Sequence, residues 1–176
     1  FDSLSLPTTY PGGVNYRAGS YLVKRGSSDK LYVVMPSNTK KEVTTAAAKV
    51  LYGSSYVVKT VGDAFWPNYV KTDTGTLDVD SSGVVKPHEG QFVKVGTATY
   101  YVDASSTLKE VDSAGETANR VKTAFVRALD SKYIAGLTTS ATKVSAEVST
   151  LTDRTQGASG STTTPPVTPP ITTGDL

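Results

Sequence analysis

The sequence predicts an α+β fold: two tandem β-rich hairpin–helix repeats with an extended N-terminal arm and a Thr/Pro-rich C-terminal tail. Three observations predict it. Lys41-Glu42-Val43 recurs as Lys109-Glu110-Val111, an offset of 68 (109 − 41), and neighbouring residues keep that offset. β-branched and aromatic runs flank Gly/Ser turn signals, as paired strands do. From Thr138 the composition changes, and Gly157–Leu176 is mostly Gly, Ser, Thr and Pro, which cannot fill a core.

At the same offset Tyr32 meets Tyr100, Val34 meets Val102, Ser37 meets Ser105 and Thr39 meets Thr107. Further along, Ala46 meets Ala114 and Val58 meets Val126, and apolar character is kept at Val57/Phe125, Val61/Leu129 and Phe65/Tyr133. Upstream the offset becomes 70 (96 − 26), pairing Gly26 with Gly96 and Lys24 with Lys94. The slip falls in Ser27-Ser28-Asp29-Lys30, a turn-like stretch that tolerates length changes. The organisation that follows is an arm over 1–18, unit 1 over 19–70, a linker hairpin over 71–89, unit 2 over 90–138 and an extended tail over 139–176.

The arm holds two prolines, Gly12-Gly13 and the alternating pair Leu4 and Leu6, and reads as extended. In unit 1, Tyr21–Lys24 and Leu31–Val34 form a hairpin with a loop longer than two residues. Phe92–Val95 and Tyr100–Val102 repeat it around Gly96. A third short strand ends at Val43 or Val111, and a helix follows. Thr44 or Thr45 caps the first helix, and Gly53 stops it. Ser113 and Glu116 form a Ser-x-x-Glu capping box for the second, with Ala114, Ala118, Val121 and Phe125 on one face. Leu77, Val79, Val84 and Val85 around Asp80-Ser81-Ser82-Gly83 predict a small hairpin in the linker. Lys143–Thr152 alternates Val144, Ala146 and Val148 with polar residues, consistent with a strand or a weak helix. Thr164-Pro165-Pro166 and Thr168-Pro169-Pro170 give the tail polyproline character. Units of about 50 residues bury marginal cores, so the two are expected to share one or lean on neighbours.

Composition narrows the function. The 18 basic and 16 acidic residues leave a net charge of +2, too balanced for a nucleic-acid binder driven by bulk charge. Lys24-Arg25 and Lys40-Lys41 are too sparse for that role. Cysteine is absent, which removes disulfides and thiolate chemistry. No apolar run reaches the roughly 18 residues of a membrane span. Charged residues are 19%, below the roughly 25% of ordinary domains. With ten tyrosines and a quarter or so of the chain Ser or Thr, this favours a secreted, cell-surface protein. The start at Phe1, without an initiator methionine or signal peptide, predicts a removed leader or a beginning inside a longer chain.

His88, the single imidazole, sits in a turn and lacks any G-x-S-x-G elbow, so a structural histidine is expected rather than a triad member. Asp78, Asp80, Ser82, Gly83 and Glu89 match a calcium loop in outline, but Lys86 and Pro87 interrupt it and no helices flank it; a β-turn is the favoured reading. Tyr10, Tyr16, Trp66 and Tyr69 are candidates for a sugar-stacking platform, against the plainer reading as core or cross-strand pairs. No catalytic, cofactor-binding or metal residues are assigned, and no enzyme activity is expected.

Gly19-Ser-Tyr-Leu-Val-Lys24, Leu31-Tyr-Val-Val34, Val50-Leu-Tyr-Gly53 and Val61-Gly-Asp-Ala-Phe-Trp-Pro-Asn-Tyr69 resemble tandem hairpin–helix repeats in predicted cell-surface proteins of small-genome candidate-phylum bacteria, a poorly characterised family. The resemblance covers about residues 19–138. The second unit has Ser131-Lys132-Tyr133 where the first has its Asp-Ala-Phe segment. It implies a secreted, surface-associated repeat protein and carries over no catalytic residues. The expected function is an extracellular structural protein, a self-assembling subunit of a surface filament or surface layer through exchange of extended segments. Its partners would be other copies of itself, with Leu4 and Leu6, or Val144, Ala146 and Val148, as the inserting residues. The alternative is a cell-surface adhesin or glycan-binding module with a Thr/Pro stalk.

Overall fold

The computed structural model describes residues 16–71, 75–122 and 126–148. Leu4, Leu6, Tyr10, Phe125 and the Thr/Pro tail lie outside the described residues. Two small mixed sheets with few helices make an α+β architecture. The first sheet comprises β1 (Leu22–Arg25), β2 (Leu31–Met35), β3 (Thr39–Val43), β4 (Val58–Val61) and β5 (Val70–Lys71), with helix α1 (Thr45–Tyr52) between β3 and β4. The second comprises β6 (Phe92–Val95), β7 (Ala98–Asp103), β8 (Thr107–Glu110) and β9 (Arg127–Ala128), with helix α2 (Ser113–Ala118) between β8 and β9. Strand orders are β4-β1-β2-β3-β5 and β8-β7-β6-β9.

The central strands read as unbroken apolar runs because both of their faces are covered. Tyr32, Val33 and Val34 are buried in succession. Leu22, paired with Val33, faces α1, where Ala47, Ala48 and Leu51 meet it together with Val43 and Val85. Val23, paired with Tyr32, faces the other way and packs with Val34, Val61 and Tyr69. Period-two alternation thus sends neighbouring residues of one strand into two different cores. In the second sheet Tyr101, Val111 and Val144 form the cluster beside α2, with Phe92 and Val148 partly buried against it.

Between the second and third strands of each sheet the chain makes a short 3₁₀ turn, Pro36–Asn38 and Ala104–Ser106. Ser37 and Ser105 both adopt left-handed backbone there, at φ 59° and 64°. In each sheet the strand after the helix then runs parallel to the first strand, β4 on β1 and β9 on β6.

Helix α1 begins as expected: the Thr44 side chain accepts from the Ala47 N–H at 3.2 Å, and Gly53 ends it at φ 89°. Helix α2 departs from expectation. Its cap is Asp112, whose carboxylate accepts from the Gly115 N–H at 2.8 Å, and not Ser113. The backbone of Asp112 is extended because Val111 still pairs with Val144, so Asp112 is the residue placed to cap. Glu116 accepts a bond from the Thr99 hydroxyl instead of closing a capping box. The helix stops at Ala118; Asn119 follows and Arg120 turns left-handed at φ 50°, so Val121 leaves the expected helical face.

The linker also differs. A tight turn forms at Asp80, whose N–H donates to the Val84 carbonyl at 2.8 Å. Leu77, however, does not pair across it but bridges in parallel to Val43, and Val85 buries in the α1 core. Main-chain partners on β3 and the packed apolar cluster beside α1 outcompete a free-standing hairpin, which is marginal in water. Thr139 and Val144, expected in the extended tail, lie along β8 as parallel bridges to Leu108 and Val111.

The two sheets meet at two glycines. A Cβ on Gly19 would lie 2.5 Å from the Gly90 carbonyl oxygen, and one on Gly90 would lie 2.6 Å from the Ala18 Cβ. Gln91, fully buried, donates to the Leu51 carbonyl at 2.8 Å, and Arg17 donates to both the carbonyl and the side-chain oxygen of Asn119.

Candidate functional site

The clearest built feature is a strand edge with an extended segment laid on it. The outer edge of β8 receives residues 138–144: Leu108 N–H donates to the Thr138 carbonyl, Ser140 N–H to the Leu108 carbonyl and Val144 N–H to the Glu110 carbonyl, each at 2.8 Å. The Val144 carbonyl accepts from Asp112 N–H at 3.2 Å. Val144 is the segment's one fully buried side chain among the described residues.

Helix α2 supplies the other wall. Gly115 has no side chain to give, and a Cβ there would collide with the Val144 carbonyl. Asn119 is 1% exposed and uses its whole amide. Its Nδ2 donates to the carbonyls of Gly115 and Ala146, both at 2.8 Å, and its Oδ1 accepts from Val148 N–H at 2.9 Å. An asparagine amide carries the same donor and acceptor as a peptide group, so it continues the ladder where β8 ends. Ser145 donates to the Asp112 carboxylate, and Lys143 pairs with Glu110 at 2.8 Å. The Ser145 and Gly115 bonds hold the Asp112 carboxyl below the ordinary carboxylate range.

The first sheet carries the same main-chain arrangement. Leu77 N–H donates to the Glu42 carbonyl at 2.8 Å, and Thr44 N–H donates to the Leu77 carbonyl at 2.9 Å. There the Thr44 hydroxyl donates to Asp78 at 2.7 Å.

The residues singled out from sequence fall as follows. The calcium-loop set does not converge. Asp78 holds Thr44 and Val79 N–H, Asp80 holds Ser82 and Val84 N–H, and Glu89 accepts from Ser105 N–H. Among the described residues no group of three His, Cys, Asp or Glu side chains could hold a metal ion. His88 is buried: Nδ1 faces the Glu89 carbonyl at 2.7 Å and Nε2 faces the Tyr52 hydroxyl at 2.6 Å. This fixes the neutral tautomer with the proton on Nδ1 and Tyr52 donating to Nε2. Burial pushes the imidazole down to about 4, against the opposing pull of the Glu89 carbonyl.

Tyr16, Trp66 and Tyr69 do come together, but largely as core. Tyr69 is buried and its hydroxyl accepts from Tyr16 N–H at 2.9 Å, while Trp66 packs edge-on to Tyr32 at 5.2 Å. Lys40 is buried too, donating to the Tyr69 carbonyl with its ammonium 4.5 Å from the Trp66 ring centre. Arg25 pairs with Asp63 at 2.7 Å. Beside this cluster, Tyr16, Tyr21, Phe92 and Val121 line an apolar cavity of about 290 Å³ with Arg17 and Arg120 at its wall. Among the described residues no helix is long and apolar enough to cross a membrane.

Sequence reading missed Asp112, Gly115 and Asn119 as a group. The available signal was Asp-x-x-Gly at 112–115 with an asparagine four residues later, a capped short helix with a small face. No protein-family model, curated protein or solved structure matches the chain.

Proposed function

We propose that the chain is a non-enzymatic extracellular structural protein, a self-assembling subunit of a cell-surface filament or surface layer. It is built of two tandem hairpin–helix repeats and joins other copies through exchange of extended segments. The observation that carries this reading is the segment 138–148 on β8, fastened mainly by main-chain bonds and the Asn119 amide. Fastening of that kind is how added strands bind: backbone bonds give affinity and alternate side chains give register. The 68-residue offset, kept at Ser37 and Ser105 as the same left-handed backbone, supports the repeat. The Ser/Thr-rich, cysteine-free composition supports a secreted location, as does the likeness of Gly19–Lys24 and Val61–Tyr69 to surface repeats.

Negative-stain electron microscopy of the full chain, with and without calcium, tests it. Ordered filaments or sheets are expected under both conditions. Dispersed single particles at high protein concentration would overturn the reading.

A second reading, a glycan-binding surface module with a Thr/Pro stalk, is favoured by the aromatic-walled cavity at Tyr16, Tyr21 and Phe92. Glycan binding by dispersed monomers would select it.

A further inference from the structure

We propose that the cavity at the joint of the two sheets, with Tyr16, Tyr21 and Phe92 in its wall beside Arg17, Arg120 and Lys122, is a binding site for a small apolar carboxylate: an aryl or alkyl body carrying one anionic group. The proposal stands apart from the assembly reading, and it assigns the cavity a ligand other than a neutral glycan.

Both sheets place the cavity. Gly19, Ser20 and Tyr21 lead into β1, Phe92 opens β6, and Asn119 to Lys122 follow α2. Its body is apolar. Tyr16 and Tyr21 meet edge to face at 5.6 Å, Phe92 lies under the Arg17 guanidinium at 5.6 Å, and Val121 and Val126 add to the wall. At about 290 Å³ it has room for one ring and a short chain and not for an oligosaccharide. The hydroxyls of a sugar would need polar partners, which a wall of rings and methyl groups supplies poorly.

Charge sets the polar end of the ligand. Arg17, Arg120 and Lys122 stand in the wall, and among the described residues no aspartate or glutamate lines the cavity. Arg17 is anchored by Asn119, donating to its carbonyl and at 2.7 Å to its Oδ1. Those bonds leave other guanidinium N–H groups to meet an acceptor. Burial holds the Arg17 guanidinium below its ordinary value; Glu147, exposed and outside the wall, pulls the other way, and Arg120 adds repulsion. A carboxylate within reach of both guanidiniums relieves that cost.

Arg120 carries a second sign. It sits just past the C-cap of α2 in left-handed backbone, at φ 50°, with its N–H on the Thr117 carbonyl at 3.0 Å. Helices favour glycine at that position, because glycine takes the conformation without strain. An arginine is held there at a conformational cost, and its place is in the cavity wall.

Titration calorimetry of the full chain at pH 7 tests the site, with 3-phenylpropionate as the probe and 3-phenylpropan-1-ol and glucuronate beside it. Saturable binding of one 3-phenylpropionate per chain is expected, about tenfold or more tighter than either comparison compound. Arg120→Gly suits the left-handed backbone, so circular dichroism should show the fold retained. Its affinity for 3-phenylpropionate should fall about tenfold while that for the alcohol stays. Lys49→Gln removes an equal charge from an exposed position on α1 outside the wall and should change neither. No saturable 3-phenylpropionate binding at millimolar concentration overturns the proposal, and so does an unchanged affinity in Arg120→Gly. Equal binding of the alcohol overturns it by making the cavity an unselective apolar one. Glucuronate binding as tight as 3-phenylpropionate overturns it in favour of the glycan reading. An equal loss in Lys49→Gln reduces the effect to net charge and overturns it too. Filaments or single particles under the microscope alter none of these outcomes, so the assembly reading and this site fail separately.

Discussion

The Tyr52 hydroxyl donates to His88 Nε2 across 2.6 Å, tying the last residue of α1 to the connector that enters the second sheet. Burial of this imidazole puts its pKa near 4, well under its ordinary 6.5. The unfolded chain therefore binds a proton below about pH 6.5 that the folded chain refuses until about pH 4. The part of the stability that His88 carries is fully present above pH 6.5, falls between 6.5 and 4, and levels off below. The His88 contribution to that fall is about 3 kcal/mol. Urea midpoints measured from pH 7 to 4 should show it, and His88→Gln should flatten the slope in that window.

Lys40 occupies a buried position on β3 with its ammonium against the face of Trp66, the single tryptophan. Lys40→Met keeps the volume but removes the cation and the donor to the Tyr69 carbonyl. A loss of about 1–2 kcal/mol is expected from the orphaned carbonyl and the cation–π contact. The emission of Trp66 should change in intensity in the folded state and not in urea. An unchanged folded spectrum would refute the contact.

Asn119→Ala removes four partners from a fully buried amide: Gly115, Ala146, Val148 and Arg17. About 2–3 kcal/mol should be lost. The signature is local: amide exchange at residues 144–148 should accelerate more than at β1 or β2. Gly115→Ala should have the same signature through collision with the Val144 carbonyl, at about 1–3 kcal/mol.

Calcium should leave the melting temperature unchanged. The Asp80 carboxylate already accepts from Ser82 and Val84, and Asp78 and Glu89 serve other partners. A rise in melting temperature with millimolar calcium that Asp80→Ala abolishes would contradict this arrangement.

Much of the fold was legible because its signals are local. Thr44 caps α1, hairpins form around Gly26 and Gly96, and β-branched runs become strands. Ser113 was misread as a cap because position 112 is fixed from outside the helix, by the Val111–Val144 bridge. Single-residue parallel bridges such as Val43–Leu77 have no periodicity of their own, so the linker reads as a free hairpin and the segment along the outer edge of β8 stays hidden. Lys40-Lys41 reads only as a basic pair too sparse for nucleic acid, yet strand alternation and the Trp66 face draw Lys40 inward. The acceptor residues Asp112, Gly115 and Asn119 are ordinary cap and helix residues until the distant segment is laid across them.

Gly19 and Gly90 press main chain against main chain, with Ala18 and Pro36 closing around them. No rotamer change can relax such a joint, because there is no side chain at its centre to rotate. Bending one sheet against the other requires displacing backbone that is already hydrogen-bonded to Val34 and Val102. The pair of sheets is therefore a stiff link rather than two beads on a string.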